Sequence, residues 1–133
     1  MRKRYVLDAG VLALYFAGRP EARRYIEDVY TGRAEAFMLE VNVAEFLYNY
    51  ARVFGWDAAL VKHSMLRSSP VEILGVDEEL TLAAAKLKLR YYNTLSLADC
   101  YLLALAKRRK ATIVTTDKAL KSVEGVNVVV LPL

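Results

Sequence analysis

Five short apolar runs, "YVL", "EAFMLEV", "VEIL", "ATIVTT" and "VNVVVL", are spaced along the chain, and sequence of helical pattern lies between them. No other feature constrains the fold as strongly. A strand with one wet face alternates apolar and polar residues. These runs are apolar almost continuously, the pattern of strands covered on both faces. Strands that alternate with helices fold as a parallel sheet with helices on either side. The expected fold class is therefore α/β, an α/β/α sandwich on five parallel strands.

The strands are expected at about 4–7, 35–41, 71–74, 111–116 and 126–131. Between them, "GVLALYFAG" is apolar enough for a buried helix that stops near Gly18 and Pro20. "PEARRYIEDVYTG" opens with Pro in its first turn and closes at Gly32, as helices favour. A helix is expected from Asn42 to about Gly55, because Val43, Leu47, Tyr50 and Phe54 fall at helical spacing. Further helices are expected over 57–66, 77–92 and 97–109, with a short one over 117–123. The helix after Asp77 has its acids first and its bases last, as the helix dipole favours.

The chain's 133 residues suffice for one domain with a real core, so the expectation is a single domain over residues 1–133. Hydrophobic residues make up 56%, which excludes a disordered chain. No apolar run approaches the ~18 residues that span a bilayer. The basic start "MRKRYVLDAG" is not a signal peptide, since Asp8 and then Arg19, Glu21, Arg23 and Arg24 interrupt the apolar part. Cys100 is the only cysteine, so no intrachain disulfide forms and a reducing cytoplasm is expected. Net charge is +4, a modest lean toward polyanions. The absence of Gln beside many Arg, Glu and Lys fits heat-adapted proteins.

In a parallel α/β sheet, strand ends and helix starts meet at one edge, and ligands bind there. Four acids fall at that edge: Asp8 and Asp117 after the first and fourth strands, Glu45 and Asp99 in the first turns of the helices near Asn42 and Ser96. Each has a local explanation. Asp8 and Asp117 suit N-caps, and Asn42 to Glu45 and Ser96 to Asp99 resemble capping boxes. The setting tells against caps alone. Asp99 shares a face with Leu102, Leu103 and Ala106, Glu45 lies between Ala44 and Phe46, and Asp8 has scarcely a polar neighbour. Acids in such places are costly unless paired or bound to a cation. A divalent cation would also relieve their mutual repulsion. All-oxygen donors without a Cys or His cluster point to Mg²⁺ or Mn²⁺ and away from zinc.

With "LDAG" at Asp8, "VAEFLYN" at Glu45, "LSLADCYLLALA" at Asp99 and "IVTTDKAL" at Asp117, the chain resembles the PIN-domain family of metal-dependent ribonucleases. The resemblance is to its VapC-like branch, the toxins of toxin–antitoxin pairs, and it runs from end to end. Gly10 is a variation, since such proteins often carry Ser after the Asp-Ala pair. The resemblance implies a twisted five-stranded parallel sheet between helices, with Asp8, Glu45, Asp99 and Asp117 as the acidic cluster. A threonine hydroxyl, Thr115 or preferably Thr116, would position a carboxylate, a water or the metal. It also implies homodimers, and inhibition by a small antitoxin whose peptide occupies the active-site groove.

The implied activity is RNA phosphodiester hydrolysis with one or two Mg²⁺ or Mn²⁺ ions. Asp8 and Asp99 are the first choices as direct ligands. Glu45 and Asp117 would ligate directly, act through water or orient the nucleophile. RNA and single-stranded DNA are not separable at this level. The main alternative is a PIN-like RNA-binding or scaffold module that does not cleave. A more distant one is an aspartyl phosphatase or receiver-like protein with Asp8 or Asp77 as phosphoacceptor. The former lacks the second Asp that such enzymes carry at position 10, the latter an early acidic pair. His63, Cys100, the mixed Tyr91 and Tyr92 region and "KRRK" at 107–110 read as packing or helix-end residues. Arg19, Arg23 and Arg24 are candidate phosphate contacts that nothing ranks.

Overall fold

The computed structural model describes residues 2–133. Five strands, β1 (Lys3–Leu7), β2 (Ala34–Leu39), β3 (Glu72–Leu74), β4 (Thr112–Thr115) and β5 (Val128–Val130), form one sheet in the order β3-β2-β1-β4-β5. All four strand pairings are parallel. Six helices accompany them: α1 (Ala9–Phe16), α2 (Pro20–Tyr30), α3 (Glu40–Phe54), α4 (Trp56–Arg67), α5 (Glu78–Arg90) and α6 (Leu97–Arg109). A five-residue 3-10 turn, Lys118–Ser122, links β4 to β5.

The strand runs are apolar throughout because each side of the pleat enters a different core. Tyr5, Leu7, Ala36, Met38 and Val114 point to a cluster shared with α1, α2, α3 and α4. Val6, Phe37, Leu39 and Ile113 point to a second cluster built with α5 and α6. The fold is thus the three-layer sandwich that the alternation implies. Helices α1 to α4 carry the chain outward from β1 to β2 and β3 on one face. Helices α5 and α6 then return it across the other face to β4, on the far side of β1. The reversal makes the gap between β1 and β4 the switch point of the sheet, where ligand crevices form in open α/β folds.

Several boundaries differ from the sequence-based ones. Helix α3 starts at Glu40, with Leu39 as an N-cap that supplies no side-chain hydrogen bond, so Asn42 is inside the helix and caps nothing. Glu45 accordingly sits one turn deeper than expected. The short helix after Asp117 is 3-10 rather than α, and β5 is only three residues long. No helix among the described residues is long and apolar enough to cross a membrane.

Candidate metal-binding active site

Asp8 leaves the C-terminal end of β1 and caps α1, accepting a 2.6 Å hydrogen bond from the Gly10 N–H. Its own N–H continues the sheet ladder to the Val114 carbonyl at 3.1 Å. The side chain is only 8% exposed. Thr115, fully buried at the end of β4, donates its hydroxyl to the second Asp8 oxygen. The same hydroxyl accepts the Asp117 N–H at 3.0 Å. One threonine therefore ties the ends of β1 and β4 together.

The choice between the two threonines follows from register. Leu7 pairs with Val114, so the next residue on each strand, Asp8 and Thr115, meet. Thr116, the residue favoured from the motif, does not provide this hydroxyl. Its backbone N–H faces Asp8, while its side chain fills the space beside Gly10. A β-carbon on Gly10 would overlap the Thr116 hydroxyl and stand 3.2 Å from both its Cβ and Cγ2.

The other acids lie near the same end of the sheet: Asp99 shares a hydrogen bond with Asp117, and Glu45 feels the charges of Asp8 and Asp117. Ser96 caps α6 and accepts the Asp99 N–H at 3.1 Å, which sets Asp99 in the first turn. Asp117 caps the 3-10 turn through the Ala119 N–H at 2.9 Å. The capping expectations for Asp8, Asp117 and Ser96 are met, and the capped acids also face one another. Burial, a hydrogen bond shared with Asp117, and the charges of Asp117 and Asp8 push Asp99 up to about 7. Burial raises Asp8 as well; the Thr115 hydroxyl and the Gly10 N–H oppose the rise, and the charge of Asp117 adds to it. Burial raises Glu45, with the Asp8 and Asp117 charges adding to it and Asn42 easing it. Each of these shifts includes the charge of another member of the set. Two adjacent carboxylates that share a hydrogen bond hold a proton between them when no cation is near.

Asn42 is the site residue that sequence reasoning missed as such. It is 1% exposed, it stands one helical turn before Glu45, and its Oδ1 has no hydrogen-bond partner. Its signal was in the chain: an amide at i−3 from an acid in an otherwise apolar stretch shares that acid's face.

Among the described residues, no three acidic, His or Cys side chains form a ready metal cage. The donors do fit a hard cation: four carboxylates and a buried unpartnered amide oxygen, all oxygen, with helix starts beside them. Both Asp8 oxygens accept hydrogen bonds, which suits a fixed ligand better than a phosphoacceptor. Asp77 is equally unsuited to that role, since it caps α5 and grips Arg108 at 2.8 and 2.9 Å. His63 contacts Arg67, and Cys100 is sealed in the core.

The PIN domain family model matches residues 5–126. No curated protein matches the chain in sequence. Several solved structures share its fold. VapBC2 from Rickettsia felis, bound to a DNA fragment from its promoter, superposes with a TM-score of 0.77 at 15% identity, over 95% of this chain and 97% of that one. A toxin–antitoxin complex from Klebsiella pneumoniae gives 0.71 at 19% identity, over 94% and 95%. The Mycobacterium tuberculosis VapC20, described as a toxin that cleaves the sarcin–ricin loop, gives 0.68 at 18% identity, over 82% and 86%. With the family model spanning β2, β3, β4, most of β1 and every acid of the cluster, the chain belongs to the PIN-domain family.

Proposed function

We propose that this protein is a metal-dependent endoribonuclease that hydrolyses RNA phosphodiester bonds and acts as the toxin of a toxin–antitoxin pair. The observation that supports this reading is that Asp8, Glu45, Asp99 and Asp117 lie close enough near the switch point for the first three each to be perturbed by charges of other members of the set. Acids arranged so that their charges raise one another mark a site that expects a cation. The fold likeness to a toxin–antitoxin complex and to a toxin that cleaves RNA supports the biological role.

Asp8 and Asp99 would hold Mg²⁺ or Mn²⁺ directly, with Glu45 and Asp117 ligating directly or through water. When bound, such an ion lowers the pKa of a bound water and offsets charge on the leaving oxygen. The protein's own part is orientation. Thr115 and the Gly10 N–H fix the Asp8 carboxylate, Ser96 fixes the start of α6 under Asp99, and Asn42 stands beside Glu45. No side chain is required as nucleophile.

The partners we propose are a small antitoxin and a second copy of the chain. A groove lined by Ala9, Gly10, Phe46, Tyr50 and Phe54 opens beside Asp8. It continues into exposed apolar residues on α3 and α4, Val53, Trp56 and Val61 among them. That surface suits an apolar antitoxin peptide that covers the site.

Purified protein, free of antitoxin and shown to be folded, should cut a structured RNA pool with Mg²⁺ or Mn²⁺ and not with EDTA. Asp8→Asn and Asp99→Asn should each lower cleavage by about a hundredfold or more. RNA binding without metal-dependent cleavage, indifferent to Asp99→Asn, would select the non-cleaving binding module instead.

A further inference from the structure

The end of the sheet opposite the acidic cluster holds a basic cavity of about 690 Å³. Arg2, Lys3, Arg4, Arg24 and Lys110 line it with Tyr25, and no acidic residue does. Glu35 stands nearby and engages Arg2 at 2.7 Å and Arg4 at 3.1 Å. Lys3, Arg24 and Lys110 form no ion pair among the described residues. The Arg24 guanidinium lies over the Tyr25 ring, 5.1 Å from its centre, and Tyr25 packs edge-on against Tyr5. A guanidinium stacked in this way keeps its edge donors available for phosphate.

The backbone supplies a second, independent observation. Lys110 ends α6 with φ 52° and ψ 49°, and it is the one non-glycine residue with positive φ among those described. Glycine is the residue such a helix end favours, because a β-carbon crowds the backbone there. The α6 dipole does not need this charge, since Lys107, Arg108 and Arg109 already occupy the last turn. Lys110 thus carries its ammonium group at the mouth of the cationic cavity from a position whose backbone favours glycine.

We propose that this cavity is a second RNA-contact site, which grips sugar–phosphate backbone at the end of the sheet remote from the acidic cluster. The proposal rests on the ribonuclease reading above. Cations interleaved with tyrosine rings recognise nucleic-acid backbone and exposed bases together. Strand β1 joins the two sites: Lys3 opens it in the cavity, and Asp8 follows its other end after a rise of roughly 17 Å. A short oligonucleotide at the acidic edge cannot reach the cavity, whereas a folded RNA can. The site therefore contributes to affinity for large substrates and not to the chemical step.

The test is the double variant Lys3→Ala/Lys110→Gly in the full-length protein. Its thermal midpoint should equal or exceed that of the wild type, because Gly suits position 110. Fluorescence anisotropy with a structured RNA in EDTA should show affinity lowered on the order of tenfold, and a salt slope reduced by about 1.4–1.8, two phosphate contacts. With Mg²⁺, cleavage of a tetranucleotide should be unchanged while KM for the structured RNA rises. Unchanged affinity and slope would overturn the proposal. So would parallel loss on the tetranucleotide, or binding of an acidic peptide such as poly-glutamate by a protein that does not bind RNA. The anisotropy in EDTA needs no cleavage, so it reads this site even if the ribonuclease reading fails.

Discussion

Asp8 shows how much of the site depends on atoms that are not acids. Its carboxylate is held by a glycine N–H and a threonine hydroxyl, and Thr116 sits where any side chain at position 10 would go. Gly10→Ala should therefore be damaging. The inserted β-carbon must displace Thr116 or the start of α1, an overpacking worth about 1–3 kcal/mol. Thr116→Ala in the same molecule should restore most of the loss, because it removes the hydroxyl that the β-carbon meets. Urea midpoints of the wild type, both single variants and the double variant would show this coupling; additive losses would refute it. The importance of the TTD stretch was legible in the sequence, but the assignment of roles within it was not. Adjacent strand residues point to opposite faces, so one step of register between β1 and β4 decides which threonine meets Asp8. Local sequence does not encode that register.

At the scale of elements, the strands were legible as short, near-continuous apolar runs separated by sequence of helical character, and helices such as α2 and α3 by apolar residues at helical spacing and by Pro and Gly at their ends. The start of α3 was not. Cap recognition looks for Ser, Thr, Asp or Asn, and Asn42 offered itself; the real cap is the buried Leu39, held by its place at the end of β2. Packing overrode capping chemistry there, and the same shift carried Asn42 into the site. At α6 the local rule does hold. Ser96→Ala removes the acceptor for the Asp99 N–H and should lower stability by about 1 kcal/mol, as lost N-caps do. It also removes a group that opposes the rise of Asp99. The expected result is a lower urea midpoint with an unchanged slope. A Ser96→Asp cap should recover the midpoint with Mg²⁺ present and less of it in EDTA, because it adds a further negative charge beside the acids that a cation offsets.

For the whole molecule, the acidic cluster makes stability depend on pH and on metal. Asp99 titrates near 7 in the folded chain against an ordinary value of 3.8. Between those values the folded state binds more protons than the unfolded state, so stability falls as pH rises from about 4 to about 7 and levels off above. In EDTA the thermal midpoint should therefore be lower at pH 8 than at pH 5. Added Mg²⁺ should raise it at pH 8 much more than at pH 5, since protonated acids bind no cation. Equal shifts at both pH values would place the ion elsewhere. That the acids lie toward one edge was inferable because the α/β pattern fixes which strand ends share it. How they share protons was not, because burial and carboxylate contacts arise only when β4 and α6 close on β1.

The strand order carries a consequence for biosynthesis. Chains leave the ribosome from the N-terminus, and domains fold as their parts emerge. Asp8 is made long before the groups from β4 and the turn beyond it that hold it: the Val114 carbonyl, the Thr115 hydroxyl, Asp117. A nascent chain that ends before β4 can pair β1, β2 and β3 and carries Glu45 and Asp99, but Asp8 lacks the Val114 carbonyl, the Thr115 hydroxyl and Asp117 beside it. The cluster is completed only when β4 and the turn after it are made, later than the strands and helices that carry its other members. Under the proposed function, a ribosome synthesising this nuclease carries no finished active site until β4 and the turn beyond it have emerged and closed on β1.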